Sequence, residues 1–179
     1  YTFSNTNELT KTFSYPMFLE QGLETIYPEN NKLFIGTLSS MIILDLSNPA
    51  SPSRDGVYFH STSCDPVLPI GDVAYLTLRT EDFGGCSGDE NALHVIDITN
   101  TSSPLGHEQI TMESPYGMQL INSYLFVGEG KNGLSIFDAN DPLNLQKITN
   151  KPSIEVYDIM QHPVDPNILL MTNENGLQQ

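Results

Sequence analysis

An all-β fold, a β-propeller built of four-stranded blades, is what this sequence predicts, and three observations predict it. One short pattern, an apolar run ending in aspartate and a turn, recurs along the chain. Three other short runs accompany each copy, in the same order. No stretch has the length and 3.6-residue periodicity of a helix.

The recurring pattern reads MIILDLSNPASP at 41–52, LHVIDITNTSSP at 93–104 and LSIFDANDPLNL at 134–145. Its aspartates are Asp45, Asp97 and Asp138, and the unit repeats every roughly 40 to 50 residues, the range of propeller blades. A second run precedes it: KLFIGT (32–37), AYLTLR (74–79), YLFVGE (124–129) and ILLMTN (168–173). Before that lies a third: ETIYPEN (24–30), DPVLPIG (65–71), YGMQLIN (116–122) and YDIMQHP (157–163). A weaker segment closes the unit: GVYFHST (56–62), HEQITME (107–113) and LQKITNK (145–151). Runs of about five residues rich in Val, Ile, Tyr, Phe and Thr between turn residues are strands. Four per unit make a blade.

Blade boundaries are expected near residues 22, 64, 114 and 155. The final GLQQ (176–179) matches GLSI (133–136), and the first residues, YTFSNTNELTKTF, read as the remainder of such a strand, a turn and a fourth strand. About four repeats are visible. They form either a small four-bladed ring or part of a larger one, and the break in mid-strand favours the larger.

With these runs in view, the sequence resembles the LVIVD repeats of bacterial and archaeal surface propellers, named for the apolar run that ends in aspartate. The copies at 41–52 and 93–104 fit well, and that at 134–145 less so. The resemblance implies a secreted or surface-anchored protein, often a lipoprotein. It supplies no catalytic motif.

Composition limits the partners. Lys and Arg number 7 against 22 Asp and Glu, a formal charge of -15. Such a surface repels phosphate backbones and anionic membranes, so nucleic acid is excluded. No run reaches the length of a membrane-spanning helix, and the first residues do not form a signal peptide.

Asp45, Asp97 and Asp138 could form a ring of catalytic or metal-binding carboxylates. An aspartate followed by Ser, Thr or Asn is better read as an Asx-turn, since a hairpin determinant must recur in every blade and a catalytic residue need not. The second unit carries an insertion, RTEDFGGCSGDEN (79–91), with Glu81, Asp82, Asp89 and Glu90 around glycines. These acids make a weak Ca²⁺ candidate, for their spacing matches neither the EF-hand loop nor the nonapeptide calcium repeat. GGCSGD is not a nucleophile elbow, because Asp89 stands where glycine is needed after Ser87.

Cys64 and Cys86 fall on one face of the same blade, the first before strand one and the second in the loop joining strands two and three. They are expected to form a disulfide, which implies an oxidising compartment. The histidines, His60, His94, His107 and His162, show no metal or catalytic spacing, and no cofactor is expected.

The binding candidates on the loop-bearing face are Asp65, Tyr116, Asp158, Asp82 and Asp89. The sequence thus points to a non-catalytic binding or scaffold propeller of the cell surface. Its partner would be an outer-membrane or other surface protein, an extracellular polymer or a peptide. The alternative is a hydrolase or lyase with its site at the central channel, which would need residues such as Asp65, Tyr116, Asp158 and His60 to converge.

Overall fold

The structure is a computed structural model that describes residues 14, 22–64, 66–80 and 86–179, with the backbone of 2–3 and 9–10. The strands are β1 (Thr2–Phe3), β2 (Leu9–Thr10), β3 (Leu23–Glu29), β4 (Lys32–Thr37), β5 (Ser40–Asp45), β6 (Ser53–Phe59), β7 (Val67–Ile70), β8 (Val73–Leu78) and β9 (Ala92–Asp97). They continue with β10 (Leu105–Thr111), β11 (Met118–Ile121), β12 (Tyr124–Gly128), β13 (Leu134–Asp138), β14 (Gln146–Lys151), β15 (Asp158–Gln161), β16 (Leu169–Asn173) and β17 (Gly176–Gln178).

All pairing is antiparallel between neighbours in sequence. β3–β6 form blade 1, β7–β10 blade 2 and β11–β14 blade 3. β15–β17 form the described strands of blade 4, and β1 pairs with β2. The four blades make a β-propeller. Residues on β3, β7, β11 and β15 all line one axial cavity, so the sheets stand around a common axis as a four-bladed ring, not as part of the larger ring that the mid-strand break favoured.

Each blade turns its corners alike. Positive φ at Asn30 and Asn31, at Gly71, and at Asn122 allows the tight reversal between strands one and two. After strand three, the Oδ1 of Asp45, Asp97 and Asp138 accepts the backbone N–H of Ser47, Thr99 and Asn140 at 2.7, 2.8 and 2.9 Å. A second Asx-turn follows three residues on, where Asn48, Asn100 and Asp141 accept from Ala50, Ser102 and Leu143. The residue after each aspartate (Leu46, Ile98, Ala139) donates its N–H to the first hairpin, at Asn31, Asp72 and Ser123. One hydrogen-bond program therefore builds three blades.

Register shifts interrupt each outer strand, between Ile43 and Leu44 opposite β6, between Gly106 and Glu108, and between Ile136 and Phe137 opposite β14. Such bulges twist an edge strand and discourage pairing with another chain.

The core lies between blades. On β8, Ala74, Leu76 and Leu78 pack with Phe34, Met41 and Ile43 of blade 1, while Val73 and Tyr75 pack with Leu125, Val127 and Phe137 of blade 3. On the far side of blade 3, Leu134 joins Val156 and Ile159 at blade 4. Because successive side chains alternate between faces, a strand between two neighbours must be apolar at nearly every position. All six residues of β8 are buried.

Polar bonds cross the same seams. The Tyr75 hydroxyl donates to the Pro142 carbonyl at 2.9 Å and the Thr77 hydroxyl to the Tyr116 carbonyl at 2.9 Å. Burial, followed by the nearby Asp141 charge, pushes the Tyr75 phenol up to about 12, so it remains a donor. Gly56 meets the Thr101 carbonyl of blade 2 so closely that a Cβ would collide with it.

Phe137 is fully buried at the seam of blades 2 and 3. Phe137→Ala is expected to destabilise the chain by about 3–5 kcal/mol in denaturant titration. A loss near zero would mean that the seam is not closely packed.

Candidate functional site

The axial cavity, about 370 Å³, is lined by Thr25 and Tyr27 of blade 1, Pro66, Val67, Leu68 and Arg79 of blade 2, Tyr116, Gly117 and Met118 at blade 3, and Tyr157 and Asp158 at blade 4. First strands supply most of this wall because they are innermost in every blade. β7 and β11 bring apolar residues, whereas β3 is largely exposed and brings Thr25 and Tyr27.

An aromatic and cationic stack forms one side. The Arg79 guanidinium carbon lies 4.2 Å above the centre of the Tyr116 ring. Tyr157 meets the same ring edge-on, with centroids 4.9 Å apart. The Tyr157 hydroxyl donates to Glu155 Oε1 at 2.9 Å, and this bond raises its pKa above the usual phenol value. Asp158 is exposed, with Oδ1 accepting the Ile159 N–H at 2.9 Å. Gly117 leaves the room that the Asp158 side chain occupies, where a Cβ would clash.

Arg79 is positioned by the disulfide. Cys64 and Cys86 are bonded, with Cα atoms 5.1 Å apart. Outside the strand ladder, Cys64 N–H donates to the Arg79 carbonyl at 3.0 Å and Arg79 N–H to the Cys64 carbonyl at 3.2 Å. The crosslink therefore ties Cys86 of the insertion, the start of blade 2 and the Arg79 backbone together. Glu24 lies near both sulfurs, but cysteines joined to each other offer no thiolate to a metal.

Of the residues singled out in the sequence, Tyr116 and Asp158 meet in this cavity. His60 lies outside its lining, with Nδ1 bonded to the Ser61 carbonyl at 2.7 Å. Asp89 is exposed on the loop and likewise outside the lining. Asp65, Glu81 and Asp82 lie outside the described residues. Arg79, Tyr27 and Tyr157 are wall residues that sequence reasoning missed. Arg79 was read only as the start of the insertion and Tyr27 had no counterpart in the other repeats, whereas Tyr157 opens YDIMQHP at the place that Tyr116 holds in YGMQLIN.

Glu90 of the insertion bonds to the blade-2 strand and to the segment before it. Its Oε1 accepts from His94 Nε2 at 2.7 Å and its Oε2 from the Ser61 hydroxyl at 2.5 Å. His94 Nδ1 stands 3.1 Å from the Tyr58 hydroxyl of blade 1. Buried His94 thus joins the insertion to the seam of blades 1 and 2. Burial raises the Glu90 pKa, but the bonds from Ser61 and His94 outweigh it and the net shift is downward.

A surface charge cluster closes the same seam from outside. Lys32 Nζ lies 2.8 Å from Asp45 and 2.8 Å from Asp55, and the Thr101 hydroxyl of blade 2 donates to Asp55 at 2.5 Å. Asp45 and Asp55 are both held below the ordinary carboxylate range, first by the Lys32 hydrogen bond. Asp97 is lowered chiefly by its bond from the Thr99 hydroxyl.

The cavity can hold a ligand against rings, apolar side chains, one guanidinium and one carboxylate. Among the described residues its lining contains no histidine and no cysteine, and its carboxylate is solvated. No helix among the described residues is long and apolar enough to cross a membrane.

The LVIVD repeat model matches residues 31–59, 86–110 and 119–148. No curated protein matches the sequence significantly. Among solved structures, the computationally designed Ika4 protein superposes with a TM-score of 0.62 at 10% identity, over 91% of this chain and 93% of its own. BamB from Moraxella catarrhalis gives 0.60 at 11% identity, over 86% of this chain and 41% of its own. A chain of an S. cerevisiae Dbp5–Nup159–Gle1 complex gives 0.58 at 14% identity, over 94% of this chain and 42% of its own. At these identities the likeness is one of fold.

The lowered carboxylates set an acid dependence. A depressed folded-state pKa gives stability that is present above the unfolded value, near 4, and is lost as pH falls through the folded value. The melting temperature is therefore expected to drop on acidification below about pH 4. Lys32→Met should flatten that drop, because it removes the main cause of the Asp45 and Asp55 shifts. Equal slopes for the two chains would show that the cluster does not couple to folding.

Proposed function

Because this chain is a propeller of LVIVD repeats, we propose that it is a non-catalytic binding and scaffold protein of the cell surface, working within or beside an outer-membrane or other surface assembly. The observation that carries this reading is the axial cavity. Four blades contribute to it, Tyr116 and Asp158 both line it, and the disulfide-bonded Cys64 pairs with the Arg79 backbone at its wall.

Two further points support the reading. The disulfide suits an oxidising, extracytoplasmic setting. The charge of -15 keeps the surface soluble and turns anionic polymers away. The likeness to BamB is one of fold, and the chain spans 41% of that protein's length.

Thiol alkylation of the protein taken directly from its source, without reductant, tests the setting. Cys64 and Cys86 are expected to stay unmodified until reductant is added, and the protein is expected in the envelope or secreted fraction. Free thiols together with cytoplasmic recovery would contradict the proposal.

A further inference from the structure

The sequence Asn–Gly–Leu occurs twice, at 132–134 in blade 3 and at 175–177 in blade 4. In each blade it stands at the turn into strand three, β13 or β17. The two glycines have nearly the same φ, +114° at Gly133 and +116° at Gly176. Local conformation therefore does not separate the two turns, but packing does. We infer that Asn175 is a modification site, where the chain converts asparagine to isoaspartate and aspartate with water as the only reagent, and that Asn132 is protected from the same reaction.

The chemistry is intramolecular. The Gly176 backbone nitrogen, once solvent base has taken its proton, attacks Asn175 Cγ. The N–Cγ bond forms, the Cγ–Nδ2 bond breaks, and the amide leaves as ammonia. Water then opens the resulting succinimide at either carbonyl, giving aspartate or isoaspartate. Water is consumed, ammonia is released and no electrons are transferred. Glycine favours the attack because it puts no Cβ beside the nitrogen. The turn must open to bring that nitrogen onto Cγ, so the rate follows local opening.

Opening is resisted in blade 3. Asn132 is exposed, but Gly133 is buried, and a Cβ there would collide with the Lys151 carbonyl. The Gly133 carbonyl accepts the Glu129 N–H at 2.8 Å, and its own N–H reaches the Gly130 carbonyl at 3.3 Å. Leu134 is 4% exposed and packs with Val156 and Ile159. β13 is paired on both sides, by β12 and β14.

Those restraints are missing at Asn175. Among the described residues, β17 pairs with β16 and has no strand beyond it. All of β17 is exposed, Leu177 at 71%. The position of a Gly176 Cβ has nothing within 4 Å. The Asn175 N–H donates to Asn173 Oδ1 at 2.9 Å and Glu174 pairs with Lys131 at 2.8 Å, both in solvent, where such links contribute little. Isoaspartate would add a methylene to the main chain and a carboxylate beside Glu174, displacing the Asn173–Gly176 register.

Peptide mapping by mass spectrometry tests this, after storage of the disulfide-intact chain at mildly alkaline pH, well below its melting temperature. Conversion at Asn175 is expected to run at least about tenfold faster than at Asn132. In denaturant the two sites should convert at similar rates, because both are Asn–Gly–Leu. Asn175→Gln should abolish conversion in that peptide and leave the Asn132 rate unchanged. Equal rates in the folded chain, or faster conversion at Asn132, would overturn the inference. So would an Asn175 that stays intact in the folded chain over the time in which the denatured chain converts.

Discussion

Blades 2 and 3 of this protein are each a sheet clamped between two others, and that constraint shapes the rest. An isolated four-stranded sheet of this size exposes two faces and cannot bury enough apolar area to stand alone. Packing face to face around an axis gives the two middle strands a dry neighbour on both sides. β8 and β9 of blade 2 meet that demand with near-continuous apolar sequence, VAYLTL and ALHVID. The outer strands have one wet face and read differently: LGHEQIT in β10 is half polar and mostly exposed. The run that looks like a buried parallel strand is here the middle of an antiparallel blade.

The same clamping makes the cavity. First strands lie nearest the axis, so whatever they carry on their inward edges is brought together from four distant places in the sequence. Thr25, Leu68, Met118 and Asp158 are separated by a blade each yet share one space. The insertion of blade 2 contributes differently. Through Cys86 and Glu90 it braces Cys64, Ser61 and His94, and through Cys64 it braces Arg79. A loop that looks like surface decoration thereby becomes the support of the site.

Much of this was legible in the sequence. The aspartates at 45, 97 and 138 marked the blades because one hairpin chemistry must recur wherever strand three turns into strand four. A second marker was equally readable, since Asn48, Asn100 and Asp141 stand three residues beyond them and build a second turn. Tyr116 and Asp158 could be placed near the axis because the first enters and the second begins a first strand. Arg79 could not be joined to them, because its stacking on Tyr116 depends on the angle between blades 2 and 3, which no single blade encodes. The bond between Glu90 and His94 spans four residues of loop and strand, and only burial of the imidazole reveals its purpose.

Native-state hydrogen exchange measures the clamping most directly. Amides of β8, β9, β12 and β13, buried between two neighbours, are predicted to exchange only through global opening, with free energies equal to the stability from denaturant titration. Amides on the solvent side of β6, β10 and β14 are predicted to exchange far faster. Exchange from 73–78 as rapid as that from 105–111 would contradict the account, because the central blade would then be opening without its neighbours.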